Sequence, residues 1–207
     1  MDVHSDFEKE LGVLRERVLF LGAEVEQAFQ GAVRALRSRD SEAAYSVLSH
    51  DEAVDEIEVY IDRQCLKVLT IPRPPAADLR LALCMVKISP LLERIADKAC
   101  NIARIALALK EEPQHQIVPS IDAMANQALL MLRLALNAVT SADPIAARRV
   151  IESDSEMDRL YNHSLYSLFA LIVAEPRFAP FHTKLLLTAK HIEHIGNYVS
   201  DICELTE

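Results

Sequence analysis

Residues 81–106 read Leu81-Ala82-Leu83-Cys84-Met85-Val86-Lys87-Ile88-Ser89-Pro90-Leu91-Leu92-Glu93-Arg94-Ile95-Ala96-Asp97-Lys98-Ala99-Cys100-Asn101-Ile102-Ala103-Arg104-Ile105-Ala106. Within this stretch Leu81, Met85, Ile88, Leu92, Ile95, Ala99, Ile102 and Ala106 alternate spacings of four and three. That period keeps apolar side chains on one stripe of a helix, so the stretch predicts a long helix with one seam against neighbouring helices. Pro90 lacks a backbone N–H and predicts a kink on the way.

The same period extends outward in both directions. Ser5-Asp6-Phe7-Glu8 has capping-box spacing and predicts the start of a first helix carrying Leu11, Leu14, Val18, Leu21, Val25, Ala28 and Leu36, ending near Ser38. Asp40 reads as the N-cap of a second helix, with Val47, Val54, Ile57, Ile61 and Val68 at helical spacing until Ile71-Pro72-Arg73-Pro74-Pro75 breaks it. After the seam helix, Glu111-Glu112-Pro113-Gln114-His115-Gln116 is polar and proline-containing and reads as a linker. A fourth helix is predicted from about Ser120 to Thr140, and a fifth from Asp143-Pro144 to the turn at Glu175–Pro180. A sixth runs from about Phe181 to Glu204.

These elements repeat. Asp40 and Asp143, Asp51 and Asp154, and Asp55 and Asp158 are each 103 residues apart, whereas Glu93 and Glu193 are 100 apart, as a turn three residues shorter would produce. The expected fold is therefore all-α, with six helices in two tandem, duplicated antiparallel three-helix bundles over residues 1–112 and 113–207.

Composition agrees. The chain has 207 residues, 51% hydrophobic, with only four glycines, which suits long helices around a sizeable core. A formal charge of −9 disfavours non-specific nucleic-acid binding and favours cationic ligands. The longest apolar run, Leu165 to Ala174, is about half a membrane span, and the acidic start Met1–Asp6 has no signal-peptide pattern. These features predict a cytoplasmic protein with no membrane-spanning segment. Cys65, Cys84, Cys100 and Cys203 form no CxxC pair and read as buried reduced thiols.

Carboxylates carry the chemistry. Asp51 with Asp55, Glu93 with Asp97, and Asp154 with Asp158 are i, i+4 pairs, each on one helical face with Cβ atoms about 5–6 Å apart. The fourth pair is imperfect, Glu193 being followed by Asn197, with Asp201 one turn on. Asp51 and Asp55 lie 22 and 18 residues before Arg73, and Glu93 and Asp97 lie 20 and 24 after it, so an antiparallel hairpin brings the pairs level. About Pro176 the same holds: Asp154 and Asp158 lie 22 and 18 before it, Glu193 and Asn197 17 and 21 after.

Close carboxylates repel by about 3 kcal/mol per pair at ~5–6 Å and an effective dielectric near 20, and a cation relieves this. Oxygen-only donors favour magnesium, calcium, manganese or iron, and His191 and His194 beside the second set widen the choice. With Leu92 and Ile95 in the seam, Glu93 and Asp97 fall on the outer face, which predicts a surface cluster. The bland alternative is that these acids are only the solvated face of amphipathic helices. No HExxH, GxSxG or phosphate-cradling glycine loop occurs, and Glu112-Pro113-Gln114-His115 fits ExxH by letter alone, so no enzyme is predicted.

Leu92-Glu93-Arg94-Ile95-Ala96-Asp97-Lys98-Ala99-Cys100-Asn101-Ile102-Ala103 resembles the LERIGDHAxNIA segment of the PhoU family, with alanine for glycine and lysine for histidine. His191-Ile192-Glu193-His194-Ile195-Gly196-Asn197-Tyr198-Val199-Ser200-Asp201-Ile202 resembles a more divergent second copy. The resemblance implies two three-helix bundles that bind metals through E(D)xxxD motifs and regulate phosphate uptake negatively. It implies Asp51, Asp55, Glu93, Asp97, Asp154, Asp158 and Glu193 as ligands; Asn197 keeps an oxygen but loses a charge, so three outcomes stay open for the second site: weaker binding, binding through Asp201, or none. The partners it implies are the ATPase subunit of the phosphate ABC transporter and a sensor histidine kinase. Many members are dimers, for which this sequence carries no separate signal. Two other readings stay open: an accessory protein of an ion-coupled phosphate permease, and a metal-free helical scaffold.

Overall fold

A computed structural model of the chain describes residues 3–71, 76–112 and 116–206. Among the described residues seven α-helical segments make six rods: α1 (Val3–Ser38), α2 (Ser41–Ser49) and α3 (Asp51–Thr70) as one interrupted rod, α4 (Ala76–Leu109), α5 (Pro119–Ser141), α6 (Pro144–Ala174) and α7 (Ala179–Glu204). A short 3₁₀ turn, Pro176–Phe178, joins the last two. No strand occurs among the described residues. The proline cluster 72–75 and linker residues 113–115, with the proposed boundary between halves, lie outside the described residues.

The seam reading holds. Met85, Ile88, Leu92, Ile95, Ala99, Ile102 and Ala106 are all buried, and Leu81 packs half-buried against the same core. α4 passes through Pro90 as one helix. Around it α1 and the α2–α3 rod complete the first three-helix bundle, and α5, α6 and α7 form the second. α4 packs on α7 and α1 on α5, so the two bundles share a continuous core. α4 and α7 run antiparallel: the Cys84 thiol near the start of one donates to the Leu205 carbonyl just past the end of the other at 3.2 Å. At the opposite end Lys184 pairs with Glu112, and Arg39 lies 5.3 Å over the Phe181 ring.

The duplication extends to the turns. Arg39 and Ala142 both adopt left-handed φ, 51° and 49°, and Asp40 N–H and Asp143 N–H reach back to the carbonyls of Ala35 and Ala138 at 3.2 and 3.0 Å. Each aspartate then caps the next helix, Asp40 accepting from Ala43 N–H at 3.1 Å and Asp143 from Ile145 and Ala146 N–H at 2.9 and 3.0 Å. Asp143→Ala should cost about 1–2 kcal/mol by leaving these donors unpaired. Ala142→Gly should instead stabilise, by about 1 kcal/mol, because glycine adopts a left-handed φ without the Cβ penalty. Thermal melts of the two variants check both signs.

Three expectations need correction. The N-terminal helix is already formed at Val3, so it does not begin at Ser5, whose side chain lies outside the described residues. The second rod is interrupted at His50, where Ser49 Oγ and His50 Nδ1 both engage the Ser46 carbonyl, at 2.9 and 2.8 Å, and His50 N–H reaches only to Val47. Side-chain bonds to preceding carbonyls open a helix in this way. Cys65, Cys100 and Cys203 are buried and unbridged as expected, but Cys84 is half-buried.

Candidate functional site

The interruption at His50 makes Asp51 the first residue of α3, with Asp55 one turn further on. α4 packs antiparallel beside α3 and brings Glu93 and Asp97 to the same level. Asp51 is half-buried and held: the Cys100 thiol donates to its Oδ1 at 3.2 Å, and Arg104 stands 3.9 Å from its Oδ2. Burial first, and then the bond to Asp51, push the Cys100 thiol up to about 12, so at neutral pH it stays protonated and serves as a donor.

The other acids act on one another. Asp55, exposed, is raised above the ordinary carboxylate range by its slight burial and then by the charges of Asp51, Asp97 and Glu52. Glu93, half-buried, is raised by desolvation and then by Asp97, Asp55 and Glu58, with Arg94 opposing. All four acids singled out from spacing thus belong to one electrostatic cluster, and Glu58 joins them. Glu58 sits three residues after Asp55 and forms an i, i+4 pair of its own with Asp62. Among the described residues, no three His, Cys, Asp or Glu side chains converge as ligands of one ion. In donor chemistry the cluster fits a hard divalent cation: oxygen atoms only, excess negative charge and access from solvent.

These shifts set a pH dependence. A carboxylate whose native pKa is raised binds protons more readily folded than unfolded, so stability falls as pH rises from the ordinary carboxylate range through the raised native value. In chelator-treated protein, Glu93→Gln should therefore stabilise at pH 7 by on the order of 0.5–1 kcal/mol after discounting for solvent screening, with the gain fading near pH 4. Parallel melts at the two pH values check it.

The second cluster is built differently. Asp154 is raised by burial and by Asp158, Glu193 and Asp201, while the facing Ser200 hydroxyl acts to lower it. Asp154 Oδ1 and Ser200 Oγ are both buried, and although the hydroxyl stands near enough to act on the carboxylate, the two stop short of full hydrogen-bond geometry. Gly196 permits the close approach of α6 here, since a Cβ at that position would stand 3.1 Å from Met157 Cγ and 3.8 Å from Asp154 Oδ1. Glu193 is only 9% exposed, contrary to the surface position expected for such acids, and its oxygens are engaged by Lys190 and Asn197 at 2.9 and 3.2 Å. His194 Nε2 lies 3.7 Å from Glu193. His191 and His194 are lowered, mainly by burial and nearby lysines, which favours neutral imidazoles. Asp158 and Asp201 are exposed at the rim.

No helix among the described residues is long and apolar enough to cross a membrane. Against known proteins, the PhoU domain model matches twice, at residues 18–106 and 121–206, once per three-helix bundle. A Serratia marcescens protein named phosphate-specific transport system accessory protein PhoU is 34% identical, the match covering 98% of this chain and 83% of that protein. The crystal structure of PhoU from Pseudomonas aeruginosa superposes with a TM-score of 0.91 at 31% identity, covering 97% of this chain and 96% of that one. That of the phosphate transport system regulatory protein PhoU from Streptococcus pneumoniae gives 0.90 at 27% identity, covering 97% and 94%. These are names of accessory and regulatory proteins, not of enzymes. With both bundles matched by the same family model and the fold shared along nearly its whole length, the chain belongs to the PhoU family.

Proposed function

We propose that this chain is a non-enzymatic accessory regulator of a phosphate-specific transport system. The match of both bundles to the PhoU domain carries the reading, supported by the accessory and regulatory roles named for its relatives. In the finer form of the proposal it acts in the cytoplasm and restrains the phosphate ABC transporter through the ATPase subunit. It also restrains the phosphate-starvation response through a sensor histidine kinase, and it works as a dimer. Its first acidic cluster, Asp51, Asp55, Glu93 and Asp97, holds a hard cation such as Mg²⁺, Mn²⁺, Ca²⁺ or iron.

The chemistry favours a relay over catalysis. The acids stand on α3 and α4, so an ion between them ties two rods that otherwise repel at this level. Such a tie stabilises one arrangement of the outer face over others and shifts affinity for a partner by the difference. The Cys100 thiol, donating to Asp51 Oδ1, orients that carboxylate.

Deleting the gene in its host and measuring phosphate uptake and a starvation reporter in phosphate-rich medium tests the reading. Uptake and reporter should both rise, and both should return when the chain is supplied again. No change in either would overturn it, and a rise that persists without the ABC ATPase would transfer the role to an ion-coupled permease.

A further inference from the structure

The two acidic clusters occupy equivalent levels of their bundles but are balanced by different means. In the second, Lys190 Nζ lies 2.9 Å from Glu193 Oε2, and Asn197 Nδ2 donates to Oε1 at 3.2 Å. The same ammonium stands 5.3 Å over the Tyr161 ring on α6, so it is held from both helices that carry the acids. Glu193, 9% exposed, is thus a buried carboxylate with a hydrogen-bonded counter-charge, the condition under which burying a charge is tolerated.

The 100-residue spacing that relates Glu93 to Glu193 relates Pro90 to Lys190, Asp97 to Asn197 and Arg94 to His194. Proline carries no charge, so the first half has no lysine at this place, and it has an acid where the second half has an amide. Arg94 opposes the rise at Glu93, but its guanidinium is centred 6.0 Å over the Tyr198 ring, and Arg104 reaches Asp51 only at 3.9 Å. One half presents four mutually repelling carboxylates. The other presents Asp154 and Asp158 beside a Glu193 whose two oxygens an ammonium and an amide already occupy.

We infer that Lys190 is a resident counter-ion that occupies Glu193 in place of a metal ion, so that this chain holds ions in its first bundle and not in its second. The inference rests on the cation reading of the first cluster. The oxygen donors of an ion site persist in the second half, because buried Asp154 Oδ1 and Ser200 Oγ, the latter in a residue 8% exposed, face each other short of full hydrogen-bond geometry and have no other partner. Removing the ammonium and restoring the acid at position 197 should therefore uncover a site.

The experiment counts Mn²⁺ bound per chain by equilibrium dialysis and elemental analysis. Lys190→Met/Asn197→Asp should bind about one Mn²⁺ more than the unmodified chain, whereas Lys190→Arg/Asn197→Asp, which keeps the cation, should gain none. Equal binding by the Met-containing variant and the unmodified chain would overturn the inference. So would Mn²⁺ on the unmodified chain that survives Glu93→Gln/Asp97→Asn and disappears with Asp154→Asn/Glu193→Gln, an outcome that leaves the first-cluster reading intact and needs no Lys190 variant to fold. If the unmodified chain binds no Mn²⁺ and the Met-containing variant does, Lys190 has the inferred role and the first-cluster reading fails instead.

Discussion

Leu92→Ala is expected to destabilise the chain by about 3–5 kcal/mol, which lowers the melting temperature by roughly 6–20 °C for a protein of this size. Leu92 is fully buried at the centre of α4, the rod that packs on α1, on the α2–α3 rod and on α7. Truncation removes its transfer free energy and leaves a cavity that three neighbouring rods close only partly, which puts the cost at the upper end for such changes. The next residue responds with the opposite sign, since Glu93→Gln removes a charge that its neighbours repel. Melting both variants in chelator makes the comparison within one helical turn. A Leu92→Ala cost under about 1 kcal/mol would mean that the seam is not the core.

That contrast shows why the fold was legible. A four-three alternation is a statement about which side of a helix faces other helices, and it survives tertiary packing because burial creates it. Leu92 and Ile95 went to the core and Glu93 and Asp97 to the outer face as their phases require. The interruption at His50 was not legible in the same way, since Val47 and Val54 keep the helical period across it and both are buried. What opens the rod is local side-chain bonding by Ser49 and His50 to the Ser46 carbonyl, which apolar periodicity does not register. Cys100 likewise read as an inert buried thiol, and its bond to Asp51 emerges only when α3 and α4 are placed together. Lys190 was hidden by the repeat itself. Aligning the halves on their acids sets it opposite Pro90, so attention falls on the missing acid at Asn197 and passes over the cation three residues before Glu193.

Mn²⁺ should raise the melting temperature of the chelator-treated chain, and the rise should vanish in Glu93→Gln/Asp97→Asn. An ion that binds only the folded state stabilises by about 2.7 kcal/mol at a hundred times its dissociation constant, which is roughly 5–10 °C here. The unfolded chain does not hold Asp51 and Asp55 level with Glu93 and Asp97, because the two pairs stand on separate rods. The gain should also shrink as pH falls, since protons compete for Asp55 and Glu93, whose carboxyls already favour the protonated form more than usual. Leu92→Ala separates binding from stability: its baseline starts lower, but the acids remain on the outer face and the Mn²⁺-driven rise should be retained. An unchanged rise in Glu93→Gln/Asp97→Asn would remove the ion from the first cluster. Those acids would then be a solvated helical face, and partner recognition would have to proceed without a metal.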